Sequence, residues 1–561
     1  MALLSVAAIA CFSLVIAWTI YSGLCLLRNY SSARKLDLPI RVLPISRGNP
    51  FWMIVDSKVT SFFRRLPFGD NNFTRYNWRG WEVRDRYRSH LEMGDAYVQV
   101  TPGRNWLYLC NSEALLEVFR RRFDFPRPLQ LYELLNIFGS NLSTVDGQQW
   151  KKQRKITASC FNDSNSEIVW AESLGLATDM LKFWSSKDVV SSTADDVRTL
   201  SLHVLSKAGF GKSFKFLSQD DHETANPALN YKESLKMVLD NCVLIMALGT
   251  KFLSRPWLPH KLRKVHQACV AFQRHMTSVY EEEKRAHEQG SPTDRNLLSS
   301  LIQASNEEAS KFPNGSTGTP SGGGGLTESE IYGNMFVFNF AGHDTTAHTL
   351  MFAIAFLAAK PHVQDWLSEE LHTVFADRVP SQWDYQRDLP KLMRCHAVLM
   401  ETVRLYTPVP VAKWTGGSAQ TLQVGDKLVP IPPDTMVIPS YAALHTHPKY
   451  WGSDSLEWRP ARWIVEGPDG AEELKTPPRG TFIAWSEGER SSPGRKFSQV
   501  AFVATMAVLF KDWRVSPQRL EGEQDADARG RLLRLIETDS AQVLLLQMLH
   551  PERAPLCWSK A

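Results

Sequence analysis

Near its C-terminus the chain reads FIAWSEGERSSPGRKFSQVAF, residues 482–502. Gly488, Arg490 and the Pro493-Gly494 turn lead into a helix-forming run. Such a loop presents a guest to the first turn of a helix, where backbone N–H groups lack partners. The residue placed to touch that guest is Ser492, whose hydroxyl is a hard and weak donor toward a transition metal. Three other stretches carry groups that could do chemistry. In LMETVRLYTPVPV, Glu401 and Arg404 stand three residues apart on one helix face, and in EWRPARWI, Arg459 and Arg462 lie beside prolines and tryptophans. A spacing of three usually marks an exposed ion pair worth roughly 0.2–0.5 kcal/mol. Arg462 could also fork onto a carboxylate, with Glu401 the candidate partner. In FVFNFAGHDTTAHTLMF, the polar run from Gly342 to Thr346 separates two apolar halves.

The elements that must hold these groups are mostly helices. Thr327 and Glu330 have the spacing of a capping box, so a long helix begins there and carries the run Gly342-His343-Asp344-Thr345-Thr346 at its centre. So polar a cluster at mid-span is expensive in lipid, which favours a buried helix of the soluble body over a second membrane span. Gly inside a helix costs about 1 kcal/mol against Ala, and threonine hydroxyls compete for backbone carbonyls. Together they predict a local distortion facing a cavity. The segments TLQVGDKLVPI and TMVIPSY read as strands near 420–441, and the stretch from about 51 to 300 reads as mostly helical. Residues 305–325, SNEEASKFPNGSTGTPSGGGG, cannot bury apolar surface and are expected to form a mobile internal loop.

Length alone, 561 residues, suggests two or three domains. The net charge of +5 is small for this size; it argues against a nucleic-acid binder and leaves room for a local basic patch. Eight scattered cysteines, with no C-x-x-C pair, argue against structural zinc and a disulfide framework. Residues 1–27 carry no charged side chain and are long enough to span a bilayer. Arg28, Arg34, Lys35 and Arg41 follow, which places the body on the cytoplasmic side of an uncleaved anchor. Pro39, Pro44 and Pro50 make 28–50 an extended, Pro-containing linker.

Taken in order, AGHDTT (341–346), ETVR (401–404), RPARW (459–463) and the closing WSEGER loop (485–490) resemble the cytochrome P-450 family of haem-thiolate monooxygenases. DGQQWKKQRKI agrees, since Trp150 and Arg154 stand at the family's spacing. The wording is most similar to fungal members used in secondary metabolism. The resemblance implies one large, mainly α domain with a small β lobe over 51–561, overriding the count from length. It implies haem b (iron protoporphyrin IX) as cofactor and oxidation of a small apolar substrate. A single-pass anchor in the endoplasmic reticulum membrane follows, with the haem domain cytoplasmic. By the same resemblance Arg154 and Arg490 would bind the haem propionates beside Trp150, and Glu401, Arg404 and Arg462 would form a buried structural triad. Asp344 and Thr345 match the acid–alcohol pair that relays protons for dioxygen cleavage.

The chain departs from the family at one place. Two residues after the loop arginine the family has the cysteine whose thiolate binds iron; here Ser491 and then Ser492 follow Arg490. A metal lowers the pKa of a coordinated oxygen, and the helix start at Pro493-Gly494 favours an anion, so a serine alkoxide on iron is conceivable. Its electron push toward oxygen is weaker than a thiolate's. Lys151, Lys152 and Lys155 around Arg154, with Arg495 and Lys496, read either as a solvated basic face or as a docking patch for an acidic flavin-containing NADPH reductase. Three functions stay open: an oxidising haem enzyme weakened by Ser492, a non-redox haem enzyme (rearrangement, dehydration or cyclisation), and a pseudoenzyme that binds a metabolite or partner.

Overall fold

The computed structural model describes residues 2–216, 231–289, 296–311 and 324–561. Helix α1 (Ala2–Ala33) opens the chain, and the segment Phe12–Leu36 is long and apolar enough to cross a membrane. Its last turns belong to the body. The Asn29 amide donates to the carbonyls of Thr101 and Pro102, its carbonyl accepts from Asn105, and Ala33 and Leu36 are buried.

Residues 28–50 are more than the connector their prolines suggest. Strand β1 (Ile40–Val42) lies among them and pairs parallel with β2 (Ala96–Val100). Strand β3 (Asn105–Leu109) pairs antiparallel with β2, and β4 (Lys413–Trp414) and β5 (Met436–Pro439) complete a five-stranded sheet in the order β1-β2-β3-β5-β4. The hairpin β2–β3 is an element that the mostly helical reading of 51–300 did not contain. AYVQV and NWLYL flank a Pro-Gly turn closed by Thr101, whose N–H and hydroxyl both donate to the Arg104 carbonyl. Each strand is only five residues long, buried on both faces, and so shows no alternation to read.

The remainder is mainly helical. Helix α2 (Gly147–Ser159), α3 (Asp163–Ser185), α4 (Thr193–Phe210), α5 (Glu328–Ala359), α6 (Met393–Leu405) and α7 (Arg495–Phe510) enclose the largest apolar cluster, continuous from Leu135 to Trp558. α5 is its axis. Thr327 accepts from the Glu330 N–H and Glu330 from the Thr327 N–H, so the capping box forms as its spacing predicts.

The distortion expected at the centre of α5 does not interrupt it: the helix runs unbroken from Glu328 to Ala359, and Gly342, Thr345 and Thr346 do face a cavity. Gly342 also serves packing: a Cβ there would stand 3.3 Å from Leu205 on α4, tighter than ordinary contact. Gly333 likewise lets the loop carbonyl of Gly139 lie 2.4 Å from where its Cβ would be. The stretch 305–325 is also revised. Its first residues finish the helix Leu297–Ser310, while 312–323 lie outside the described residues.

Candidate functional site

A cavity of about 270 Å³ opens between α2, α5 and the loop before α7, lined by Trp150, Arg154, Thr345, Arg490 and Ser492 among others. Five residues from three separate stretches of sequence thus meet on one space. Its walls are apolar, with Val337, Phe338, Val403, Phe497 and Phe502. The volume lies near the lower end of the ~300–1,000 Å³ usual for ligand pockets.

Local geometry fixes the loop. Ser486 and Gly488 have φ of 65° and 72°, left-handed positions that turn the chain back on itself. The Ser492 N–H donates to the Trp485 carbonyl at 2.9 Å, and the Trp485 indole donates to Ser498 Oγ at 3.1 Å on α7. Ser492 is therefore held just before the start of α7, facing the cavity and exposed.

One rim is rich in buried cations. The Trp150 ring lies between two guanidiniums, Arg122 at 4.8 Å and Arg490 at 4.5 Å. Arg127 lines the same space and Lys413, 3% exposed, stands behind it. Among the described residues two carboxylates answer these charges at close range: Asp146, which takes a hydrogen bond from Arg490, and Glu489, which pairs with Arg122 at 3.1 Å. Burial, then the neighbouring Arg127 and Arg490, push the Lys413 ammonium down to about 7. Burial also lowers Arg490 to about 10 and, with no compensating charge, lowers Arg154. Nη1 of Arg490, Nη1 of Arg122 and Nε of Arg127 are buried with no partner. An arrangement of this kind is unfavourable by itself and is relieved by an anionic guest.

Haem carries two carboxylates on a flat apolar ring, and this rim and these walls fit it. The axial position fits less well. Among the described residues lining the cavity there is no Cys, His or Met; the groups able to face a metal are hydroxyls, with Ser492 on α7's side and Thr345, Thr346 and Thr349 on α5's. Cys395 is buried within α6, and Cys557 sits on a C-terminal strand paired with Ser516.

Asp344 and Thr345 diverge. The Thr345 hydroxyl lines the cavity and donates to the Ala341 carbonyl at 2.6 Å. The Asp344 carboxylate faces a second space of about 190 Å³ behind α5, 3.0 Å from Arg198 and 3.5 Å from His343. Asp195, Lys236 and Asp240 line that space too. Thr346 Oγ1 lines the main cavity, buried and without a partner, a hydroxyl that sequence reasoning passed over.

Below the loop, Glu401, Arg404 and Arg462 come together. Glu401 accepts from Arg404 Nε and Nη2 at 2.8 Å, Arg462 Nε at 2.9 Å, the Arg459 N–H at 2.8 Å and the Trp463 indole at 2.9 Å. Burial alone would raise Glu401, yet the two arginines and the Arg459 amide hold it below the usual value. The pair is not the exposed salt bridge that spacing alone suggests: both side chains are 0% exposed.

The basic residues are mostly spoken for. Lys152 pairs with Glu330, Lys155 with Glu308 and Lys496 with Asp163, while Arg495 lies over the Trp485 ring. Lys151 is exposed. The sequence reading missed Arg122, Arg127 and Lys413. Their signal is faint: a lone Lys in the run VPVAKW and an Arg between two prolines in FPRP.

Comparison with known proteins adds an independent line. The profile of the cytochrome P-450 family matches residues 86–543. Cytochrome P-450 monooxygenase 124 of Postia placenta is 29% identical over 475 residues, covering 82% of this chain and 84% of its own length. A phomenoic acid biosynthesis cluster cytochrome P-450 monooxygenase from Leptosphaeria maculans is 28% identical, covering 90% of this chain and 91% of its own. A ganoderic acid synthetase of Ganoderma lucidum is 27% identical, covering 72% and 78%.

Proposed function

This chain belongs to the cytochrome P-450 family, and from that premise we propose that it is a haem-binding, membrane-anchored member acting on a small apolar metabolite, with Ser492 in the place of the iron ligand. Haem, when bound, supplies the activation of dioxygen needed to oxidise an unactivated substrate. The observation that carries the reading is the convergence of Trp150, Arg154, Arg490, Ser492 and Thr345 on one apolar cavity.

Each residue has a task in this reading. Arg490, Arg154 and the surplus charge of Arg127 and Lys413 hold carboxylates at one rim, and the Trp150 ring stacks beneath Arg490. Glu401, Arg404 and Arg462 fix the segments below the loop. Thr346 presents an unpartnered hydroxyl to the cavity and Thr345 a hydroxyl oxygen whose proton goes to the Ala341 carbonyl, while Asp344 holds a carboxylate on the outer face of α5, in reach of Arg198. The apolar walls exclude water and accept a hydrophobic substrate. The N-terminal helix anchors the body to the endoplasmic reticulum membrane on its cytoplasmic side. A flavin-containing NADPH reductase docks through Lys151 and the outer faces of Arg495 and Lys496, a weaker patch than five free cations would make.

The hydroxyl-only donor set supports a second reading, a non-redox haem enzyme or a metabolite-binding pseudoenzyme. Haemin reconstitution separates the haem-pocket claim from the pseudoenzyme reading. The purified full chain should retain one haem per chain through gel filtration and show a Soret band. A chain that emerges free of haem refutes the proposal.

A further inference from the structure

We infer that the cavity recognises its guest by two carboxylates and a flat apolar ring rather than by the metal, so that iron-free tetrapyrrole dicarboxylates bind it about as well as haem does. The inference rests on the haem-pocket reading above and concerns what that pocket selects.

Two observations carry it. The first is the imbalance of buried charge at the rim. Arg122, Arg127, Arg154 and Arg490, with Lys413 only partly charged near 7, have Asp146 and Glu489 as their close carboxylates among the described residues, so positive charge is in excess. Arg490 Nη1, 345 residues along the chain from the Val145 carbonyl that its Nη2 touches, is a buried donor with nothing to donate to. A guest bearing two carboxylates supplies acceptors for such donors and brings the cluster near neutrality, and charge-assisted hydrogen bonds of this type are the strong ones. The second is the donor set facing the guest's centre. In the family, affinity for the metal comes from a thiolate. Here the described lining residues offer only neutral hydroxyls, from Ser486, Ser491, Ser492 and Ser498 on one side and three threonines on the other.

A neutral hydroxyl is a poor match for ferric iron and must lose a proton with a pKa far above 7 to become a good one. No base lines the cavity beside it: Glu489 of the same loop pairs with Arg122, and the charged residues among the described lining are Arg127, Arg154 and Arg490, all cations. The metal therefore adds little to binding, and the rim and walls do the selecting. The bound state would then discriminate against esters and monoacids of the same ring, not against other metals or none.

Titration of the purified full chain, stripped of haem, tests this through quenching of the fluorescence of Trp150 and Trp485, which line the cavity. The probes are haemin, protoporphyrin IX, and protoporphyrin IX dimethyl ester. Protoporphyrin IX should bind within about fivefold of haemin, and the dimethyl ester about tenfold or more weaker than either, the order expected for losing charge-assisted bonds. Arg154→Gln should weaken haemin and protoporphyrin IX by the same factor. Ser492→Cys should tighten haemin and leave protoporphyrin IX unchanged. Haemin binding with iron-free porphyrin more than about tenfold weaker would overturn the inference while leaving the haem pocket standing. Equal binding of the dimethyl ester would overturn it as well. Failure of every tetrapyrrole to bind would instead remove the haem-pocket reading itself.

Discussion

Replacing Glu401 by Ala removes the acceptor at the centre of the buried cluster. Five donors lose the carboxylate at once, Arg404 Nε and Nη2, Arg462 Nε, the Arg459 amide and the Trp463 indole, and of these Arg404 Nη2 keeps a second acceptor in the Glu457 carbonyl. Arg404, with a side chain 0% exposed, keeps the carbonyls of His445, Ser455 and Glu457 but no counter-charge. Arg462 retains Asp454 at 3.2 Å. Stranding one buried charge costs about 3–5 kcal/mol, against roughly 5–15 kcal/mol of total stability for an ordinary protein. Glu401→Ala is therefore expected to lose most of its soluble, folded chain at 37 °C, and Glu401→Gln, which keeps an acceptor and the volume, to sit between it and the parent. Arg404→Ala should match Glu401→Ala. Urea unfolding followed by far-ultraviolet circular dichroism reads the order. The sign of the pH dependence follows from the depressed carboxyl: its contribution is present above the unfolded-state pKa near 4.5 and is lost as pH falls through the lower folded value. Parent-like midpoints in both alanine variants would refute the argument and return the pair to a minor ion pair.

Two further outcomes follow from the anchor and the cationic rim. Deleting residues 1–27 should leave a folded body, whereas deleting 1–36 should lower the urea midpoint, because it takes away the Asn29 bonds to the β2–β3 turn and the buried Ala33 and Leu36; equal midpoints would show that the end of α1 is not part of the core. Lys413, near 7 in the free protein, should be drawn back to the charged state by a bound dicarboxylate, so affinity for protoporphyrin IX should fall as pH rises from about 7 toward 9, with Lys413→Met abolishing the slope; a flat profile in the parent would contradict that.

Much of the site was legible because its groups lie in short, contiguous patterns. The Thr327–Glu330 capping box and the start of α5 could be read from four residues, and the cluster around Glu401 from two arginine-bearing stretches that the family resemblance joined. The hairpin β2–β3 was not legible, since its strands are buried on both faces and present no polar–apolar alternation. Nor was the continuity of α5 through Gly342. The glycine and threonines that argue for a distortion are accommodated within an unbroken helix, with Leu205 in close approach and the Thr345 hydroxyl bonded back to Ala341. The rest of the cationic rim escaped because Arg122, Arg127 and Lys413 come from separate stretches and gather beside Arg490 only in the folded chain, where Arg122, Arg127 and Arg490 each keep a buried donor atom without an acceptor. The basic patch was over-read for the converse reason: Lys152, Lys155 and Lys496 find acids far away in sequence.

The central claim is that the cavity holds haem by its cationic rim and apolar walls, with Ser492 where the iron ligand would be. The most direct measurement is the absorption spectrum of the haemin-reconstituted chain, reduced and treated with carbon monoxide, beside that of Ser492→Cys. The parent should show a Soret band without the long-wavelength thiolate band, and the cysteine variant should gain that band with no other change to the chain. A thiolate band in the parent, or a cysteine variant whose spectrum matches the parent's, would contradict the account.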